Sequence, residues 1–405
     1  MNIVYLHQYF NTPANGGGTR SYELARRLVR DGHHVDLITA DNAPDPHAPG
    51  GWRVDEIEGI RVHRFPVPYS NHMGFARRLR AFVAFAAASA ARASSLPADV
   101  VFASSTPLTI AIPAVVASKR RHAPMVFEVR DLWPDVPISM RVLRDPVSIW
   151  AARRLERFAY RNAREVVALS PGMAAGVARR GVPEERIHVI PNACDLDVFH
   201  PDPEAAAAFR RETPWLGDRP LVVYTGAFGR VNGVGYLARL AAEVAELDPE
   251  VRFLAVGDGL EREAVASLAQ ELGVLERSFF LLPKLPKPEV ARILAAADVA
   301  TSVVIDVPAL WDNSANKFFD GLASGTAFAV NHEGWQADLL RASEAGLVLH
   351  ATDLQRAARQ LVDALATPGW AARAGAQARR LAEERFARDT LAAQLEAVLR
   401  GAASA

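Results

Sequence analysis

Residues 3–39 decide how this chain folds. The stretch opens on Ile3-Val4-Tyr5-Leu6-His7, passes the loop Pro13-Ala14-Asn15-Gly16-Gly17-Gly18-Thr19-Arg20, runs through a helical pattern to Asp31, and returns as an apolar run at 34–39. An apolar run, a glycine-rich loop, an amphipathic stretch and a second apolar run predict strand, loop, helix and strand. Working outward, apolar runs at 60–65, 99–103, 124–128, 165–168 and 186–190 alternate with helical patterns near 73–96, 107–121, 145–163 and 171–181. Such alternation predicts a parallel sheet with helices on both faces.

The same grammar restarts at Leu221-Val222-Val223-Tyr224-Thr225-Gly226, after a Pro- and Asp-containing segment from Pro191 to Pro220. Apolar runs at 251–256, 278–282, 298–304, 327–330 and 346–349 follow, separated by helical patterns at 234–247, 260–273, 288–297, 315–324, 335–342 and 353–366. The expected fold class is α/β, with two doubly wound, Rossmann-like domains over 1–195 and 196–388 facing a central cleft. A last helix within 389–405 is expected to pack back on the first domain. Open sheets of this kind bind ligands outside the carboxyl ends of their strands, so the cleft is the expected site.

Composition narrows the function. The 405 residues are 50% hydrophobic and 23% charged, ordinary globular values. Lys+Arg and Asp+Glu both number 46, so no global field favours nucleic acid. Residues 1–200 nevertheless carry 25 basic against 19 acidic side chains, and residues 201–405 carry 21 against 27. The one cysteine, Cys194, excludes an internal disulfide and a cysteine zinc site, and fits a reducing, cytoplasmic compartment. The N-terminus reads as a strand without a signal peptide, and the most apolar windows, 81–91 and 108–117, fall short of the ~20 residues of a membrane span.

Three constellations could carry chemistry. The loop Gly16-Gly17-Gly18 precedes a helix, where bare N–H groups and the helix dipole can cradle an anion; a flexible tight turn is the competing reading. Its counterpart Gly226-Ala227-Phe228-Gly229-Arg230-Val231-Asn232-Gly233 adds a cation. The most specific segment is Trp311-Asp312-Asn313-Ser314-Ala315-Asn316-Lys317-Phe318-Phe319-Asp320-Gly321-Leu322-Ala323-Ser324-Gly325, a loop with capping residues that becomes a helix ended by Gly325. Asn316 and Asp320 share a helical face and Lys317 lies three residues before Asp320. A carboxylate there can accept two hydrogen bonds from a ribose diol; the alternative is a capped surface helix with a solvated Lys317–Asp320 pair. Asp195-Leu196-Asp197 reads as a structural turn rather than a metal site, and the eleven histidines form no zinc motif.

Over nearly its whole length the sequence resembles the retaining GT-B glycosyltransferases of family 4, above all the bacterial branch that builds O-antigen, capsule and exopolysaccharide. The resemblance rests on His7-Gln8-Tyr9-Phe10 with the Gly16–Gly18 loop, Phe127-Glu128-Val129-Arg130-Asp131-Leu132-Trp133-Pro134, Ile190-Pro191-Asn192 and the 311–325 segment. It implies a transferase moving a sugar from a nucleotide diphosphate, most commonly UDP, to a glycan or lipid-linked acceptor, without a metal or other cofactor. Asp312 and Asp320 match the family's E-x7-E pair as a D-x7-D variant, with Asp320 on the ribose and Asp312 near the donor sugar. Arg230 matches the diphosphate arginine. The family's companion lysine is replaced near Asn232 and Gly233, so Lys317 is the expected second cation, ahead of Lys284 and Lys287. Gly17, Gly18, Gly229, Ser314 and Asn316 complete the implied donor site. Glu128, Arg130 and Asp131 fall on the acceptor side, where Arg130 stands at the position of a frequent histidine. Rival expectations are a nucleotide-sugar 2-epimerase and a binding regulator without turnover. A basic, amphipathic stretch over 73–83 suggests peripheral membrane contact.

Overall fold

The structure, a computed structural model, describes residues 1–13, 18–41, 51–67 and 74–404. It packs as two compact units, Met1–Pro191 with Asp389–Ala405, and Asn192–Arg388. The boundary falls after Pro191, four residues ahead of the sequence expectation. Asn192 hydrogen-bonds Ser314 and the Cys194 thiol donates to the Phe319 carbonyl, which ties these residues to the second unit.

The first unit contains β1 (Asn2–Leu6), α1 (Arg20–Arg30), β2 (His34–Asp41), β3 (Arg53–Ile57), β4 (Ile60–Pro66), α2 (Phe75–Ser95), β5 (Val100–Ser104), α3 (Ala111–Arg121), β6 (Met125–Val129), α4 (Asp135–Ser139), α5 (Pro146–Asn162), β7 (Glu165–Ala168), α6 (Pro171–Ala178) and β8 (Ile187–Val189). Its sheet runs β3-β4-β2-β1-β5-β6-β7-β8, so the strand order reverses between β1 and β5. All neighbours are parallel except β3 and β4. Every residue of β5 and β6 is buried, as expected of strands covered on both faces. The β3–β4 hairpin was missed by apolar patterning because β3 is an exposed, charged edge strand. Its turn, Glu58-Gly59, has positive φ at both residues, the geometry a two-residue hairpin needs.

The second unit contains α7 (Pro203–Glu212), β9 (Leu221–Thr225), α8 (Gly235–Leu247), β10 (Arg252–Val256), α9 (Arg262–Glu271), β11 (Phe279–Leu282), α10 (Lys287–Ala296), β12 (Val299–Ser302), α11 (Asn316–Ala323), β13 (Ala327–Val330), α12 (Trp335–Ser343), β14 (Gly346–Val348), α13 (Leu354–Ala366) and α14 (Trp370–Arg385). Its parallel sheet runs β11-β10-β9-β12-β13-β14, reversing between β9 and β12. The final helix, α15 (Arg388–Ser404), joins the first unit from Asp389 onward. Arg27 Nε reaches Asp389 at 2.5 Å and His33 Nε2 reaches Glu396 at 2.8 Å, while Leu391, Leu395 and Leu399 are buried.

One aromatic cluster fixes α11 against the second sheet. Phe318 lies 5.0 Å from Phe328 and 5.7 Å from Trp335, and Phe319 lies 5.3 Å from Phe386, each pair edge to face. Between them Gly321 lets the helix approach so closely that a Cβ there would fall 2.4 Å from the Phe328 ring. Gly321→Ala should therefore overpack the helix–sheet contact and cost about 1–3 kcal/mol. A lowered urea midpoint with unchanged slope checks this.

Candidate active site

In the second unit the site grows from the carboxyl end of β9. Gly226 leaves that strand at φ +146°, and its N–H donates to the Val256 carbonyl, pairing the loop with the one after β10. Gly257, at φ +152°, presses against it so tightly that a Cβ would lie 1.8 Å from the Gly226 oxygen. The side chain of Lys317, from the first turn of α11, crosses this glycine shelf: a Cβ at Gly226 would fall 2.8 Å from Lys317 Cε. Its ammonium donates to the Tyr224 hydroxyl at 2.9 Å and to Asn232 Oδ1 at 3.1 Å, and stands 4.3 Å from the Tyr224 ring centroid. The Tyr224 hydroxyl in turn donates to the Ala227 carbonyl.

Every one of these partners is neutral. Among the described residues Lys317 has no carboxylate partner, and burial pulls its pKa down to about 7. The solvated Lys317–Asp320 pair that the sequence left open does not form. Asn232, near the place where the resemblance expects a lysine, instead seats an ammonium delivered from α11. Arg230 is exposed in the short turn of 230–232 and makes no ion pair among the described residues; Gly229 is half-buried before it.

The residues expected to cap α11 fold the preceding turn instead. The residue before the helix, Ala315, offers no side-chain cap, and its N–H donates to Asn313 Oδ1. Trp335 Nε1 and Gln336 Nε2 both donate to the Asn313 carbonyl, at 2.8 and 3.2 Å. Asn192 Nδ2 donates to the Ser314 carbonyl and its backbone N–H to Ser314 Oγ. With these carbonyls held back, the first-turn N–H groups of α11 remain the natural anion donors, as at any helix start. Asn316 is exposed and Asp312 half-buried at this end. Asp320 lies one turn further, and burial raises its carboxyl to about 7 against the opposing pull of Lys287 and Arg388. Both of those cations bind Asp195, which gives that acid a structural role; Lys284 is exposed. No group of three or more potential metal-binding residues occurs among the described residues.

In the first unit Gly17 lies outside the described residues, while Gly18 is half-buried just ahead of α1. Glu128 departs from the acceptor-side expectation because it has no exposed surface. Its Oε1 accepts from Arg20 Nε and Nη2 at 3.0 and 2.8 Å and its Oε2 from the Ser104 hydroxyl at 2.6 Å. Arg20 also donates to the carbonyls of Ile190 and Pro191, bracing the strand ends. Arg130 donates through Nη1 to His7 Nε2 at 3.0 Å, and His7 Nδ1 faces Ser21 Oγ at 2.9 Å. Burial, with Arg130 and Arg20 nearby, holds His7 well below the usual histidine range. The neutral ring thus accepts from Arg130 and donates to Ser21. Asp131 is exposed beside it.

Residues 15–193 match the glycosyl transferase 4-like domain, and residues 206–381 match the glycosyl transferases group 1 domain. The chain belongs to the two-domain, GT-B-fold glycosyltransferases. It is 29% identical over 201 residues to a D-inositol 3-phosphate glycosyltransferase of Nocardia farcinica, covering 46% of this chain and 43% of the relative. It is 28% identical over 225 residues to a GDP-mannose-dependent alpha-(1-6)-phosphatidylinositol monomannoside mannosyltransferase of Mycolicibacterium smegmatis, covering 54% and 57%. The matches thus span about half the length of these relatives. Across 99% of the chain the fold is similar to sucrose-phosphate synthase from Thermosynechococcus elongatus (TM-score 0.78, 21% identity, 98% of that chain). It is also similar to Anabaena HepE in complex with UDP (TM-score 0.75, 17% identity, 99% of this chain and all of that one).

Patterning singled out Lys317, Asp312, Asp320 and Arg230 but missed the groups that hold Lys317 and the 313–314 turn. Tyr224, Asn192, Trp335 and Gln336 act through hydroxyl, amide and indole hydrogen bonds across long sequence separations, which no local spacing announces. Two outcomes test the site. Arg20→Met should destabilise by about 3–5 kcal/mol, since it leaves Glu128 buried and unpaired; urea denaturation measures it. Lys317→Met should stabilise the chain at pH 7. A lysine whose pKa falls from about 10.5 unfolded to about 7 folded contributes stability that is intact above the unfolded value and lost as pH falls through 7. Denaturation at pH 7 and pH 10.5 should show that gain shrinking at the higher pH.

Proposed function

We propose that the protein transfers a sugar from a nucleotide diphosphate donor, a UDP-sugar, to a hydroxyl of a glycan or lipid-linked acceptor in cell-surface polysaccharide synthesis. The observation that carries this reading is the Lys317 ammonium, whose partners among the described residues at the carboxyl end of a central strand are all neutral. Such a cation lacks an anion, and a diphosphate supplies one. Breaking the sugar–phosphate bond adds charge to the departing diphosphate, so preorganised Lys317, Arg230 and the α11 N–H groups stabilise the transition state more than the ground state. With the leaving group neutralised by protein, no metal is assigned to the reaction. Asp320 takes the ribose diol and Asp312 stands toward the donor sugar, with Gly229, Ser314 and Asn316 lining the anion end. Attack and departure on one face retain the anomeric configuration. On the acceptor side Arg130, oriented by His7, and Asp131 are the candidates for contact. A lipid-linked acceptor brings the protein to the inner face of the cytoplasmic membrane.

The similarity to a UDP-bound neighbour supports the choice of base, and the GDP-mannose-dependent relative makes GDP the control. Calorimetry of UDP at pH 8 in two buffers of different ionisation heat should show uptake of about one proton, as the diphosphate recharges Lys317. Lys317→Arg, already charged, should take up none. Tighter binding of GDP than UDP would reassign the base.

Turnover itself is tested on product. We expect transfer in excess EDTA, with retention read by NMR of the anomeric proton. Asp320→Ala should weaken UDP binding, whereas Lys317→Ala should lower kcat more than it raises KM. Isomerised sugar nucleotide without an acceptor would favour the epimerase, and binding without turnover across all acceptors the regulator.

A further inference from the structure

The first unit presents an unusual outer surface. Between Glu58 and Glu128 the only acid is Asp99, against nine arginines and lysines. Three helices from this part of the unit cover one face of its sheet. Helix α3 packs against both α2 and α5, and Ala81 and Phe85 of α2, Ala114 and Val115 of α3, and Ala159 and Tyr160 of α5 all point into the same core. Their opposite sides therefore look outward together.

That outward side is apolar where a soluble face is ordinarily polar. Leu79 and Val83 of α2 are 47% and 57% exposed, Ile112 and Val116 of α3 are 40% and 43%, and Val147 and Trp150 of α5 are 71% and 62%. Single exposed apolar side chains need no explanation, but six large ones on three adjacent helices form the kind of surface that marks an interaction site. Cations fringe it: Arg77 and Arg80 on α2, Lys119 at the end of α3, and Arg154 and Arg157 on α5 are all exposed, with the Arg154 guanidinium 5.3 Å from the Trp150 ring. The only exposed carboxylate on α2, α3 or α5 or at their N-terminal caps is Asp145, whose oxygen is committed to the Ser148 N–H at the start of α5. Among the described residues no helix is long and apolar enough to cross a membrane, so this surface is one that lies on a bilayer rather than in it.

The geometry points to this α2–α3–α5 face as a docking surface for an anionic lipid bilayer, centred on Val147 and Trp150. It rests on the transferase reading only for its use, since docking would present the site to a lipid-linked acceptor. The centre differs from the sequence expectation of 73–83, part of which lies outside the described residues. An aromatic ring beside arginines, over branched aliphatic side chains, suits the interface between headgroups and acyl chains, where the ring sinks and the cations meet phosphate. Charge complementarity favours a bilayer over a second copy of the chain, because two copies of this face would bring arginines against arginines.

The test is co-sedimentation of the full chain with vesicles of phosphatidylglycerol and phosphatidylcholine, against vesicles of phosphatidylcholine alone. Binding is expected with the anionic vesicles and little with the neutral ones. Val147→Ser with Trp150→Ser should abolish it, and Arg154→Glu with Arg157→Glu should weaken it by at least about fivefold per charge. UDP affinity should be unchanged in both variants, which shows that they fold and separates failure of docking from failure of the transferase reading. Equal binding to both vesicle types, or undiminished binding by the serine variant, would overturn the proposal. So would a dimer in light scattering that the serine variant dissolves while wild type ignores vesicles.

Discussion

A buried lysine without a carboxylate partner among the described residues organises the second unit. The Lys317 ammonium lies against Tyr224 and Asn232 with no carboxylate among its described partners, and burial drags its pKa to about 7. A folded chain gains nothing from such a placement, because desolvating a charge without an opposite one is unfavourable. The surrounding structure has to impose it. Gly226 gives the side chain a path where any Cβ would collide with it, Gly257 holds that loop down, and the Phe318–Phe328–Trp335 cluster prevents α11 from withdrawing. A lysine whose pKa burial alone moves this far from its ordinary value is a functional-site candidate, and under the proposed reading the anion that restores its charge is the donor diphosphate.

The first unit treats its charges differently. Glu128 and Arg20 are as deeply buried, yet every oxygen of the carboxylate is satisfied and Arg20 spends its remaining donors on the Ile190 and Pro191 carbonyls. That closed network is structural. Arg130 is the exception, since its described side-chain partner is the neutral His7 ring, one residue beyond the end of β6. In each unit, then, a cation facing neutral partners stands at the carboxyl end of a strand, Lys317 against β9 and Arg130 after β6.

Much of this was legible in sequence because it depends on short-range pattern. The strand–loop–helix alternation of 3–39, repeated from 221, gives the two sheets, since buried parallel strands read as continuous apolar runs. The segments missed were those whose apolar signal is weak. β3 is charged and exposed, and α7 sits in the Pro- and Asp-containing segment to which no helix was assigned, although Asp202 caps it and Pro203 occupies its first turn. In the candidate site, Lys317, Asp312 and Asp320 were singled out through their spacing on one helix and its approach. Glu128 was misjudged because a carboxylate at a strand end looks alike whether it faces a ligand or an arginine 108 residues away. The Asn313 and Ser314 capping signal was real chemistry in the wrong place: those side chains and carbonyls fold a turn that is clamped by Asn192, Trp335 and Gln336.

The two ends of the donor reading are mechanically linked, because Lys317 and Asp320 ride on the same short helix. Three residues advance a helix by about 4.5 Å and turn it by about 300°. Lys317 therefore reaches toward β9 while Asp320 looks toward Asp195, Lys287 and Arg388. Neither can move without the other. A rotation of α11 that relieved the buried ammonium would carry Asp320 off its own neighbours, and the close approach at Gly321 leaves no clearance for such a rotation. The spacing between Lys317 and Asp320, the proposed phosphate cation and ribose carboxylate, is thus set by helix geometry and locked by one missing methyl group. Burial pushes both toward their uncharged forms, raising the carboxyl to about 7 and lowering the amine to about 7. Under the proposed reading the diphosphate recharges the amine and the ribose diol donates to the carboxylate, so each group would gain from the nucleotide the partner that burial denies it.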